Sequence, residues 1–395
     1  MTAAATKTWV HVLEGMNAFA CTFYFQYLLF HLRDQFGFGQ RESLLFLALH
    51  GLIYTGAAWA GGRFGQRRGY LAALQLGFAG MTLSVLVAGA WPAHCAVQIG
   101  AMVCWTVSQC MTWPIIEALV SENESRAGVA RRVGLYNVIW AAVGALAYCS
   151  GGALIERLGP GALYALPAGL HLAQLVLLSR IAPGVREAHA QAGRVPVETA
   201  VPEAAAFQQK VPPALFLKMA WLVIPFTYIA INTLLAVVPQ RSLALGLDTA
   251  KAGAFWAVWF FVRLASFVLL WQWTGWHYRF RWLVAAFGAL AVSFCVLMLS
   301  QSLPVLVAAQ AVFGCAAGLI YYSSLFYAMD VGEAKGEHGG IHEAVIGAGI
   351  CTGPALAALT LHLLPDQPES GAWAVAVMLA LGLAARGVVR ARAAR

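Results

Sequence analysis

The chain has 395 residues, of which 61% are hydrophobic and only 11% charged, and its mean hydropathy is +0.71. Soluble domains carry about 25% charged residues, so the composition excludes a soluble enzyme or regulator and places the chain in lipid. The net charge of +8 would suit nucleic acid, but the order of the cations along the chain assigns it to membrane topology instead.

Twelve apolar segments follow one another, at about 8–32, 43–61, 70–90, 94–119, 133–155, 161–181, 214–238, 250–272, 281–300, 303–329, 338–363 and 371–389. Each is near the roughly 20 residues that a helical crossing requires, and none alternates as a barrel strand does. The expected fold is an all-α polytopic membrane protein with twelve transmembrane helices in two pseudo-symmetric six-helix bundles. The first bundle is residues 1–182 and the second 214–395. Between them Pro183–Pro213 holds charges of both signs and several prolines, and reads as a cytoplasmic tether with at most a short surface helix near 204–210. The opening MTAAATK is too short for a signal n-region, so the first apolar segment is expected to stay as a helix. The eight cysteines form no CxxC and read as packing residues. The 39 glycines suit close helix contacts in lipid.

Lys and Arg set the orientation. With the N-terminus inside, nineteen of the 25 cations fall in cytoplasmic segments. Arg33, Arg41, Arg157, Arg241 and Lys251 fall outside, and Arg263 lies within a span. Both termini and the tether are then cytoplasmic.

A weak internal repeat accompanies the six-plus-six count. Gly134-Leu135-Tyr136-Asn137 opens the fifth span, and Gly340-Ile341-His342-Glu343 opens the eleventh. Between spans 2 and 3 the chain reads Ala58-Trp59-Ala60-Gly61-Gly62-Arg63-Phe64-Gly65-Gln66-Arg67-Arg68. With the topology above, this loop resembles the signature loop of the major facilitator superfamily of secondary transporters. Arg63, Gly65, Arg67 and Arg68 match; Ala58 stands for the first glycine and Gly62 for the aspartate. Thr274–Arg279 is a more degenerate second-half counterpart. Gly353-Pro354 lies in span 11, whereas span 5 has Gly151-Gly152 and no proline, so no exporter motif is read. The resemblance implies that spans 1, 4, 7 and 10 line a central cavity, that the two bundles rock about it, and that Arg63, Gly65, Arg67, Arg68 and Glu117 gate it, Glu117 meeting Arg63 or Arg131.

Charges inside a span are costly and face a cavity or a partner. Arg263 is mid-span, with Trp256 and Trp259 two turns and one turn before it. It either binds an anionic group, with indoles stacking beside it, or forms a permanent ion pair with an acid such as Glu343. Glu14 shares a stripe of span 1 with Asn17, Cys21 and Tyr24. A carboxyl there can carry a coupling proton, because apolar surroundings favour its neutral form, or it can bond a neighbouring helix. Asn17 in span 1, Trp105 and Gln109 in span 4, and Tyr228 and Asn232 in span 7, are candidate solute contacts. His342 and Glu343 are a second candidate proton-coupling pair. His338 and His342 have a chelating spacing, but no third ligand is fixed, so no metal and no cofactor is expected. No nucleotide-binding motif is present.

The leading reading is therefore a proton-coupled secondary transporter, expected as a monomer in a bacterial inner membrane, binding a small polar or amphipathic solute, with an anion favoured by Arg263. An exporter of drug-like or lipid-like compounds, and a membrane enzyme or sensor on a transporter fold, stand as alternatives.

Overall fold

A computed structural model describes residues 3–121, 124, 126–192, 213–331 and 335–393. The described residues are helical almost throughout and contain no strand. Fourteen helices follow: α1 (Ala3–Phe36), α2 (Gln40–Arg68), α3 (Tyr70–Ala90), α4 (Cys95–Gln109), α5 (Trp113–Ser121), α6 (Arg126–Leu158), α7 (Ala162–Ala192), α8 (Pro213–Ala244), α9 (Thr249–Trp256), α10 (Val258–Gln272), α11 (Phe280–Leu299), α12 (Leu303–Val331), α13 (Lys335–Leu363) and α14 (Ser370–Ala393). The pairs α4/α5 and α9/α10 each make one crossing, Cys95–Ser121 and Thr249–Gln272, so the fourteen pieces amount to twelve spans. Among the described residues ten segments are long and apolar enough to cross a membrane, and a shorter apolar helix lies at Ser370–Ala385. The helix α1 is not among the ten; its buried face carries His11, Glu14, Asn17 and Gln26.

Each broken crossing has a local cause. Pro114 has no N–H, and its ring excludes the carbonyl of Cys110 from the helical ladder. The chain therefore tightens: Met111 N–H donates to Ser108 O and Thr112 N–H to Gln109 O, three residues back. The Thr112 hydroxyl donates to the same Gln109 carbonyl. At Ala257 there is no proline. There the Trp259 N–H donates to the side-chain oxygen of Gln310 on α12, at 3.4 Å, which is the side-chain insertion that breaks a helix without proline.

The chain packs as two compact units. One comprises Met1–Phe36, Ile53–Ala200 and Glu333–Ala344; the other comprises Gly37–Leu52, Val201–Gly332 and Val345–Arg395. The helices α2 and α13 thus contribute one part to each. In the first unit α1 packs on α6 and α7, and α3 on α4 and α7. In the second, α12 packs on α8, α10 and α11. The helix α7 continues through Pro183 to Ala192, past the expected start of the tether. The proline sits near the end of the apolar run, and the residues after it, Arg186 and Glu187, are exposed helix formers. Residues 193–212, including the short helix expected near 204–210, lie outside the described residues.

Glycines set the closest approaches. A Cβ on Gly349 of α13 would lie 2.3 Å from the Pro225 carbonyl oxygen of α8, and one on Gly61 of α2 would lie 2.3 Å from the Cys110 carbonyl oxygen. Gly349→Ala is expected to cost about 1–3 kcal/mol, as overpacking does, and to lower the thermal unfolding midpoint in detergent. Gly288→Ala on α11, where nothing lies within 4 Å, is the control: its midpoint should hold or rise. Equal midpoints for the two variants would refute the close approach.

Candidate functional site

Two clusters of buried polar side chains stand out, one in each unit. In the first unit the stripe expected on α1 is buried along its length: Glu14 and Asn17 are fully enclosed, and Cys21 and Tyr24 nearly so. The helix break places Thr112 where Asn17 Nδ2 can donate to its hydroxyl, at 3.2 Å. Cys21 Sγ donates to Asn17 Oδ1 at 3.6 Å, and the ring of Tyr24 lies 5.2 Å from that of Trp105. Trp105 is also stacked on Phe25, 5.8 Å between centroids. It is a buried packing member of this stripe, and Gln109 follows it at the helix break.

At the level of Glu14 three carboxyls gather. Glu14 interacts electrostatically with Glu117 of α5 and Glu343 of α13, and Glu117 with Glu343. All three are buried. Tyr54 Oη donates to Glu343 Oε2 at 2.5 Å, and the Tyr136 hydroxyl donates to Glu117. Among the described residues, neither oxygen of Glu14 has a hydrogen-bond partner, and neither side-chain polar atom of Asn137 has one. His342 is buried beside Glu343 in sequence; the side chain of His338 lies outside the described residues. Among the described residues no group of three or more His, Cys, Asp or Glu is placed to hold a metal ion.

Glu117 was expected to meet Arg63 or Arg131 as a gate. Instead Arg63 lies over the Trp59 ring, 4.7 Å from its centroid, and Glu117 faces inward to Tyr136 and the other two acids. The α5 turn after Pro114 rotates it there. Arg67 and Arg68 are exposed at the end of α2. Gly65 has a packing reason: a Cβ there would meet Ile115 Cδ1 at 2.1 Å. Gly69, directly after Arg68, has φ +97°, and in the second-half counterpart Tyr278 has φ 51°. A tyrosine in that region is strained. It is held by its N–H donating to Tyr327 Oη at 2.9 Å and by the rings of Phe216 and Tyr327, at 5.4 and 5.0 Å.

The second cluster centres on Arg263 of α10, 4% exposed. Its guanidinium carbon lies 4.9 Å from the ring centroids of both Trp259 and Phe260, within cation–π range. Tyr228 of α8 and Tyr321 of α12 interact with it electrostatically. Asn232 Nδ2 donates back to the Tyr228 carbonyl at 3.0 Å, so it stiffens its own helix. The break at Ala257 separates Trp256 from this group: its indole N–H donates to Ser242 Oγ at 3.0 Å, tying α9 to α8. Thr112, Tyr136 and Phe260 were not singled out as site members from sequence. Tyr136 had a signal, the repeat motif that opens span 5; the others depend on packing.

At the start of α1, outside the apolar span, Lys7 Nζ donates to Glu124 Oε1 at 2.6 Å and Arg132 Nε to the same oxygen at 3.2 Å. Partial burial pushes the Glu124 carboxyl up, but these hydrogen bonds and charges outweigh it and hold the group below its ordinary 4.5.

A family model described as the Major Facilitator Superfamily matches residues 11–354. The chain belongs to the major facilitator superfamily. No curated protein matches it significantly. Among solved structures, the human organic anion transporter MFSD10 (TETRAN) superposes with a TM-score of 0.70 at 13% identity, covering 97% of this chain and 99% of that one. The proton:xylose symporter XylE bound to 6-bromo-6-deoxy-D-glucose gives a TM-score of 0.66 at 13% identity, over 97% and 95%. At such identity the likeness concerns the fold. This facilitator-superfamily chain is thus an integral, multi-pass membrane protein with the twelve-helix transporter fold.

The ion cluster gives a pH test. Because the folded-state value of Glu124 is depressed, its contribution to stability is present above the unfolded value, about 4.5, and is lost as pH falls through the folded value. Wild type should melt above Glu124→Gln at neutral pH, and the gap should close in acid below about pH 4.5. A gap that persists or widens in acid would contradict this linkage.

Proposed function

We propose that the protein is a proton-coupled secondary active transporter for a small organic solute that carries a negative charge and an apolar or aromatic part. The observation that carries the reading is Glu14: a fully buried carboxyl, with no hydrogen-bond partner among the described residues, facing two further buried acids. Like charges this close in a low-dielectric interior repel strongly, and uptake of a proton by one relieves the others. A group of this kind binds and releases a proton as its surroundings change, and that is what coupling requires. Arg263, framed by Trp259, Phe260, Tyr228 and Tyr321, supports the solute class: its guanidinium can take a carboxylate or phosphate bidentately, and the rings can cover an apolar body. In this reading the termini lie in the cytoplasm of a bacterium, and transport proceeds by alternating access. That one fold relative is described as an organic anion transporter and the other as a proton symporter is compatible with both halves of the proposal.

Two measurements test it. In a thermal-shift screen against metabolite classes, an organic anion should stabilise wild type and Arg186→Ala but not Arg263→Ala; hits that are all neutral or cationic, or that survive in Arg263→Ala, defeat the anion assignment. In proteoliposomes, Glu14→Gln should abolish solute-driven proton movement and retain solute exchange. Intact proton movement in that variant would remove Glu14 from the coupling step.

A further inference from the structure

Glu14 has a companion that the coupling scheme above does not use. His11 lies three residues before it on α1, and side chains so spaced are neighbours on a helix face, their Cβ atoms about 5–6 Å apart. His11 is 6% exposed, and among the described residues neither ring nitrogen has a hydrogen-bond partner. A histidine used for packing ordinarily satisfies at least one nitrogen. His171 on α7 does so, with Nδ1 2.7 Å from Gln174 Oε1. His11 and Glu14 instead place four buried polar atoms without a hydrogen bond among the described residues on one face of α1.

On its other side His11 meets the ion cluster. Lys7, one turn earlier, and Arg132 of α6 both act on it electrostatically, and both are bonded to Glu124, whose side chain is 20% exposed. The charged groups that act on the imidazole are Lys7 on α1 and Arg132 on α6, and Glu14 is its neighbour one turn further along the same face of α1. From α7, Gln174 donates to the Leu13 carbonyl at 3.0 Å. Lys7, His11 and Glu14 follow at four- and three-residue steps on one face of α1, so His11 stands between the residue bonded to the partly exposed Glu124 and the fully buried Glu14.

We propose that His11 is a proton-relay residue, passing protons between the Lys7–Glu124–Arg132 end of the first unit and Glu14. The proposal rests on Glu14 being the coupling carboxyl. One ring nitrogen accepts a proton from the exposed end. The other nitrogen gives up its proton to a Glu14 carboxylate oxygen, directly or through one water. Glu14 becomes a neutral acid, and His11 returns to a neutral imidazole in the other tautomer. No bond other than the N–H and O–H bonds changes, and the reverse sequence discharges Glu14. Imidazole is suited to this because it can take a proton at one nitrogen and release one from the other.

The test needs no solute. The full-length protein in detergent is subjected to an acid jump, and the carboxylic acid band of Glu14, assigned by its loss in Glu14→Gln, is followed by infrared difference spectroscopy. In His11→Gln the band should reach the wild-type amplitude, but its rise should slow by about 100-fold or more, the scale of a lost positioned acid–base group. Free imidazole should restore the rate in His11→Ala. Should His11→Gln fail to fold, His11→Asn carries the same measurement. An unchanged rise in the folded variant, or a slow rise that imidazole does not restore, overturns the relay. A wild-type protein with no Glu14 band at any pH overturns the coupling role of Glu14 as well, so the two failures are distinguishable.

Discussion

In a bilayer every backbone N–H and C=O must find its partner inside the protein, and this constraint governs where the chain can be irregular. Helices satisfy it segment by segment, so nearly all of the described chain is helical. The two interruptions within crossings are possible only because other groups take over the freed backbone. At 110–112, tightened three-residue bonds and the Thr112 hydroxyl do so. At 257, the Gln310 side chain does so. Both breaks adjoin a polar cluster. The first turns Glu117 towards Glu14 and presents Thr112 to Asn17; the second begins the short helix that carries Trp259, Phe260 and Arg263.

The clusters differ in sign. The first unit gathers three acids with tyrosine hydroxyls as donors, whereas the second encloses one guanidinium in aromatic rings. Neither is a cheap arrangement in lipid, where a charged side chain within a span costs several kcal/mol. Close helix contacts hold the frame around them. Gly61 and Gly65 let α2 approach the α4–α5 break, and Gly318 lets α12 approach α10, where a Cβ would lie 2.9 Å from that of Ser266. The solute and the ion that would use such clusters are a matter of chemistry at Arg263 and Glu14. The superfamily fold is shared by proteins at 13% identity and does not choose between them.

The spans were legible in the sequence because the signal for them is collective: some twenty apolar residues in a row outvote any local irregularity. Glu14 and Arg263 were legible because a lone charge in such a run is conspicuous. Pro114 was visible, though the turn it imposes on Glu117 was not. The break at 257 left no mark, since its cause is a glutamine 51 residues away. The spacing that put Trp256, Trp259 and Arg263 on one face assumed a continuous helix, and the break removed Trp256 from it. The bond between Tyr54 and Glu343 spans 289 residues, a distance at which no local pattern carries information. His11 was passed over because one histidine near the end of an apolar run is unremarkable until its surroundings are known.

The polar face of α1 also bears on how the protein is made. A segment that enters the membrane during synthesis is judged by its own hydrophobicity, and acidic or strongly polar residues in it weigh against insertion. With His11, Glu14, Asn17 and Gln26 on one side, α1 falls outside the ten segments apolar enough to qualify by themselves. Lipid alone is a poor solvent for it. Its stable residence in the bilayer rests on α5, α6 and α7, which cover that side and leave the ribosome later. Although α1 is synthesised before them, it finds its permanent surroundings only once they are in place, and a nascent chain stopped before α5 would hold it only loosely.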